Sequence, residues 1–176
     1  MNRIIAAVLL IIAVPQVYAD QPEGECHIHK SHAFHFRDYK VKDILEISVG
    51  PGPCPTALMT LNIRSAEGEV FYTYVSRFAD HVTPDPYDPN FDKFVEPFFT
   101  TFLAELQKNA NSMPKYHRQD EKLGLIKLYV SEKHYNTLKV RPLPVFFQPI
   151  SHDSWLYLVY DAQSRKGKKV ISGKYH

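Results

Sequence analysis

The sequence predicts an α+β fold: an antiparallel sheet, made of an N-terminal four-strand meander plus C-terminal strands, packed against one Phe-rich α-helix. Three observations predict it. Between Asp88 and Asn109 the residues Phe91, Phe94, Val95, Phe98, Phe99, Phe102, Leu103 and Leu106 gather on one side of a 3.6-residue helix. The chain before that stretch alternates apolar and polar residues with period two, as half-buried strands do. After it, short apolar segments around 124–131, 155–160 and 170–171 are bounded by turn residues and read as further strands. An amphipathic helix and a one-sided sheet must each bury a face, and packing one on the other does so.

Met1 to Ala19 carries a basic n-region at Arg3, an apolar run from Ile4 to Val14 and a small-residue cleavage site at Val17-Tyr18-Ala19, the pattern of a secretory signal peptide. No later run approaches the ~20 apolar residues of a membrane-crossing helix, so no transmembrane segment is expected after leader removal. Residues 20–176 then form a single α+β domain, periplasmic or secreted. Cys26 lacks the apolar and small residues that precede a lipid-anchored cysteine, and no Asn-x-Ser/Thr sequon occurs. Without Arg3 the 21 Lys+Arg fall to 20 against 19 Asp+Glu, a balance that gives no bulk field for nucleic acid.

Cys26 and Cys54 are the only cysteines, and export predicts a bridge between them. It closes a loop of about 29 residues, for which lost chain entropy corresponds to about 3.5 kcal/mol. A turn near Tyr39 and Lys40 brings both cysteines to one end of a hairpin. Leu45, Ile47 and Val49 share a face of its second strand, and Ile28, Phe34 and Phe36 are the apolar residues of its first. Matching the apolar sets pairs Phe36 with Leu45 and Phe34 with Ile47, and sets His35 opposite Glu46. Ala57, Met59, Leu61 and Ile63 form the next inward face. A turn over Ser65–Gly68 then pairs Ile63 with Val70, Leu61 with Tyr72 and Met59 with Tyr74.

Pro84, Pro86 and Pro89 take the chain out of the sheet, and Asp88 with Pro89 can open the helix. Pro97 is expected to kink the helix or to delay its start, while Phe98 and Phe102 are expected to be core. Past Pro114, Ile126, Leu128 and Val130 face inward on a returning strand. The segment from Tyr135 to Ile150 carries Pro142, Pro144 and Pro149 and is expected to give short edge pieces at best. Trp155–Tyr160 is nearly all apolar and should be a central strand. A turn over Asp161–Lys168 leads to a last strand through Val170 and Ile171.

Chemical signatures are sparse. His27 and His29 share a strand face and could hold zinc or copper, with His32 and His35 close in sequence, but no third ligand stands at a defined spacing. Asp80, Asp85, Asp88 and Asp92 lack the glycine and spacing of a calcium loop. Ser151-His152-Asp153-Ser154 has the letters of a hydrolase triad, yet sequence neighbours cannot face one another in those roles. No nucleophile elbow, zinc-protease helix or phosphate-cradling loop occurs, and no cofactor motif is present. Arg165, Lys166, Lys168, Lys169 and Lys174 make the last hairpin basic, either a solvated turn guarding an edge or a prong for an acidic partner carried by Lys166, Lys168 and Lys169. The sequence therefore reads as an exported, disulfide-bonded binding protein, an inhibitor or immunity-type partner of another envelope or secreted protein. The alternatives are a periplasmic metal-binding protein using the histidine cluster and an envelope hydrolase.

Overall fold

The computed structural model describes residues 25–54, 56–81, 91–151 and 153–175, with the backbone alone described for 91–96. The expected leader, Met1–Ala19, and the helix-opening Asp88 and Pro89 lie outside the described residues.

The protein is α+β, and its strands divide between two antiparallel sheets. The first is the expected meander of β1 (Ile28–Phe34), β2 (Asp43–Val49), β3 (Leu58–Arg64) and β4 (Val70–Arg77), in the order β1-β2-β3-β4. The second joins β5 (Gln107–Asn109), β6 (Ile126–Leu128), β7 (Pro144–Ser151), β8 (Ser154–Asp161) and β9 (Lys166–Lys174), in the order β5-β7-β8-β9-β6. Three helices, α1 (Phe91–Leu106), α2 (Arg118–Lys122) and α3 (Glu132–Lys139), lie between the strands in sequence.

In the meander the expected faces hold and the expected registers do not. Leu45, Ile47, Val49, Met59, Leu61 and Ile63 are all buried. Across the first hairpin, however, Leu45 meets His32 and Ile47 meets Lys30, while Phe34 meets Asp43. Phe36 is not paired at all. The shift has a cause in the Asp43 carboxylate, which is fully buried at the hairpin end. It accepts from the backbone N–H of Phe36 at 3.2 Å and of Arg37 at 2.9 Å, and from Arg37 Nε at 2.7 Å. A carboxylate satisfied this way holds residues 35–42 as a wide loop, which a match of apolar letters does not foresee. His35 consequently sits past the end of β1, against the Val41 carbonyl, and Glu46 lies opposite Ser31. Across the second hairpin Ile63 meets Tyr72 and Leu61 meets Tyr74, with a bulge at Ile63/Arg64 that leaves Val70 exposed and turns Phe71 inward.

The disulfide is formed, with Cys26 and Cys54 4.8 Å apart at Cα. Beside it Gly50 has φ +107°, and a Cβ there would stand 1.8 Å from the Cys26 carbonyl oxygen, so the chain crossing admits only glycine.

The inner face of the meander packs on one face of the second sheet. Phe146 meets the rings of Phe34 at 5.9 Å and Phe36 at 6.4 Å edge-on, and Tyr160 meets Phe71 at 5.3 Å. Tyr72 donates to Gln148 Oε1 at 2.7 Å across the same interface, and burial pushes the Tyr72 phenol well above its ordinary range. α1 closes the end of this core through Phe99, which is 1 % exposed and stacks on Phe78 at 5.9 Å. Phe98 and Phe102 are half-buried, so the most buried described phenylalanine of α1 is Phe99 and not the two singled out from the sequence. α1 also begins well before Pro97 and contains it, whereas its expected last residues, Gln107–Asn109, pair with β7 as strand β5.

The other face of the second sheet is covered as well. Tyr157, Val159, Val170 and Ile171 bury against Met113, Tyr135 and Leu138, and Ile126 and Leu128 pack on the same cluster, as their spacing predicts. The proline-rich stretch departs most from expectation. It holds the second half of helix α3, which Ser131 N-caps by accepting from the His134 N–H at Oγ, and most of the interior strand β7. Pro144 opens β7, and Pro149 lies at its register shift, beyond the three residues that β5 covers. The missing N–H groups therefore fall where the ladder is already interrupted. β8 is central, as expected.

Candidate functional site

The second sheet extends sideways past β4, the last strand of the meander. Its overhanging part comes from β9 and β6, and because side chains alternate across a strand, the row that faces the meander elsewhere becomes the floor of an open cleft. Ser172 stands opposite Leu156 and Lys127 opposite Ser172, which puts both on this row; Lys169, opposite Leu158, and Lys174, opposite Ser154, share it. The cleft has a volume of about 580 Å³, with Tyr74 and Ile150 at its inner wall and the chain's one tryptophan, Trp155, among its lining. Tyr74 donates to the Ile150 carbonyl at 3.3 Å, and burial raises its pKa. The Trp155 ring itself lies on the opposite face of the sheet, 5.7 Å from the Tyr157 ring, where it passes over Gly173 so closely that a Cβ there would stand 2.3 Å from Trp155 Cζ2.

The electrostatics of this floor are one-sided. Lys127 Nζ lies 5.2 Å and Lys169 Nζ 5.9 Å from the centroid of the Tyr129 ring, so one aromatic ring lies within cation–π distance of two ammonium groups. Among the described residues none of Lys127, Lys169 and Lys174 forms an ion pair. The acid lining the cleft, Glu121, is engaged elsewhere: it accepts from Tyr116 Oη at 2.6 Å and from the Leu128 N–H at 3.4 Å. Asp153 feels Lys174 at longer range, and its carboxyl is held below the usual range first by the Ser151 hydroxyl.

The predicted prong is thereby divided. Lys169 belongs to the cleft. Lys166 donates to the Val70 carbonyl at 2.7 Å, tying β9 to the start of β4, and Lys168, opposite Val159, is on the other face of the sheet. Lys127 and Tyr129, which complete the site, alternate with Ile126, Leu128 and Val130 as outward strand residues, a pattern that puts Tyr129 among the outward tyrosines able to form a recognition surface but does not set Lys127 apart from any solvated lysine. A signal was available in the charge of the two halves of the chain: residues 20–106 carry 7 Lys+Arg against 14 Asp+Glu, and residues 107–176 carry 13 against 5. The near-neutral total conceals a molecule whose second half, the part that builds the second sheet, is strongly basic. A further groove of about 720 Å³, lined by Tyr39, Asn109, Asn136, Lys139 and Arg141, belongs to the same basic half, and burial lowers the Lys139 pKa there.

The remaining candidates are placed as follows. His27, just before β1, has Nε2 3.0 Å from Glu25 Oε2; His29 has Nδ1 3.1 Å from Ser48 Oγ and Nε2 3.7 Å from Glu46. Among the described residues no three His, Cys, Asp or Glu side chains converge as a metal site needs. Ser151 donates to Asp153 in a tight turn, and His152 lies outside the described residues. Ser76 Oγ is 2.7 Å from His81 Nε2, the spacing of a nucleophile and its base, but the imidazole is buried against Tyr74 and Phe102. Among the described residues no helix is long and apolar enough to cross a membrane. In comparisons with known proteins, the chain matches no protein family, no curated protein and no solved structure.

Proposed function

We propose that this protein is an exported binding module, residues 20–176 forming one periplasmic or secreted domain, that docks an acidic surface of another envelope or secreted protein as an inhibitor or immunity-type partner. The observation that carries the reading is the cleft floor, where Lys127 and Lys169 flank Tyr129 and Lys174 lies further along β9, all three without ion pairs among the described residues. Like charges brought together cost energy in the free protein, and an anionic partner relieves that cost on binding. The Cys26–Cys54 bridge is compatible with an oxidising compartment and makes the scaffold stiffer.

The test uses the mature protein, immobilised, against the exported proteins of its source. A retained partner should associate more slowly with the K127E/K169E/K174E variant, by about tenfold or more at low salt, and the difference should shrink at high salt as screening sets in. Equal on-rates for the parent and the variant at low salt would remove the cleft from the binding surface.

A further inference from the structure

The cleft is bounded on its inner side by β4, and β4 is an edge strand. Which of its backbone groups are free follows from the ladder. The Phe78 N–H donates to the Ala57 carbonyl at 2.9 Å, one step beyond the Leu58–Arg77 pair, so the hydrogen-bonded pairs with β3 fall on the even-numbered residues of β4. The N–H and C=O groups of Thr73 and Val75 and the N–H of Arg77 therefore point away from β3, on a side where β4 has no neighbour among the described strands, while the Arg77 carbonyl caps the 3-10 turn Phe78–Asp80. The two edges of the meander are guarded unequally. β1 presents His29, Lys30 and His32, the kind of residues that blunt an edge, whereas β4 has no lysine and no proline and leaves Val75 51 % exposed. Lys166 closes the β4 edge only at Val70.

We propose that this edge accepts an extended acidic segment of a partner as a fifth strand of the meander. The proposal deepens the reading of the basic cleft and rests on it. A strand added to β4 would lie about 4.8 Å away, over the overhang of the second sheet. Its side chains alternate, so one row turns to the floor and the other to solvent beside Thr73 and Val75. Carboxylates at every second position then meet Lys127, Lys169 and Lys174, and small or β-branched residues suit the positions between them. The recognised feature is an acidic residue with period two, and not net negative charge alone.

The experiment uses two synthetic octapeptides of identical composition, one alternating glutamate with threonine or valine and the other with its glutamates contiguous. Binding to the disulfide-bonded mature protein is read from isothermal titration calorimetry and from amide hydrogen exchange. The alternating peptide should bind about tenfold more tightly, the difference expected from a few directed hydrogen bonds, and should slow exchange at Thr73, Val75 and Arg77. Val75→Pro removes a donor that faces the edge and none that serves β3, so it should abolish binding while the unfolding midpoint stays near that of the parent. N-methylation of the alternating peptide at the amides facing β4 should do the same without altering the protein. Equal affinity for the two peptides without amide protection, or no binding of either, would overturn strand addition. Edge protection that survives K127E/K169E/K174E would instead overturn the basic-cleft reading, and the acidic part of this proposal with it.

Discussion

The two sheets, both antiparallel, differ in what their faces meet. The meander has one face in the core and one toward solvent, and its strands are sequence neighbours joined by hairpins. Along β3, Met59, Leu61 and Ile63 are buried and Leu58 is 53 % exposed. In the second sheet both faces are covered along β8, where four consecutive residues, Leu156 to Val159, are buried, and one face opens only at the overhang of β9 and β6. The comparison teaches that period two marks contact with water on one face and is not a property of strands as such. It also separates the charges, since the basic half of the chain holds the second sheet and the acidic half holds the meander.

The largest expected effect lies where the sheets meet. Phe146→Ala removes a fully buried ring from between them and should cost about 3–5 kcal/mol, measured by urea unfolding. The same measurement sharpens the contrast within each sheet. Leu158→Ala should cost about 2–5 kcal/mol and its neighbour Val159→Ala should also clearly destabilise, whereas on β3 Leu61→Ala should be costly and Leu58→Ala should stay within about 0.5 kcal/mol. A silent Val159→Ala would mean that the second sheet has only one buried face. On α1, Phe99→Ala should cost more than Phe98→Ala or Phe102→Ala, in keeping with their burial.

Two changes act on the meander through its ends. Asp43→Ala leaves Arg37 and two backbone N–H groups without their acceptor and should cost about 3–5 kcal/mol. The paired substitution Cys26→Ser and Cys54→Ser should cost up to about 3.5 kcal/mol, with amide exchange rising first in β1 and not in β8. Faster exchange in β8 at equal global stability would show that the bridge serves the whole molecule.

The smallest effect concerns a single ion pair on the meander's outer face. Arg64 hydrogen-bonds Glu46 through Nε at 3.0 Å and Nη2 at 3.1 Å, which holds the Glu46 carboxyl below the usual carboxylate range. A depressed folded pKa means that this stabilisation is fully present above the ordinary carboxylate range and is lost as pH falls through the lower, folded value. The pair is partly exposed, so screening limits it to at most about 1 kcal/mol. The stability difference between the parent and Glu46→Gln should therefore narrow on acidification, and a difference independent of pH would show that the pair contributes nothing.

By itself the sequence determined the α+β class, the inward faces of β2 and β3, the disulfide, the helix from its phenylalanine spacing and the central place of β8. Each depends on local periodicity or on pairing the only two cysteines, and local periodicity survives without knowledge of neighbours. Tertiary structure decided the rest. The hairpin registers follow from the buried Asp43 carboxylate and from the bulge at Arg64, neither of which changes the parity of the faces. The interior strand β7 exists because its prolines fall at its start and at its register shift, a matter of which neighbour pairs where. The cleft is the same kind of outcome. Lys127 of β6, Tyr129 just past its end, and Lys169 and Lys174 of β9 meet only because β6 adds to the far side of β9, and the cleft opens only because the second sheet reaches past the edge of the first.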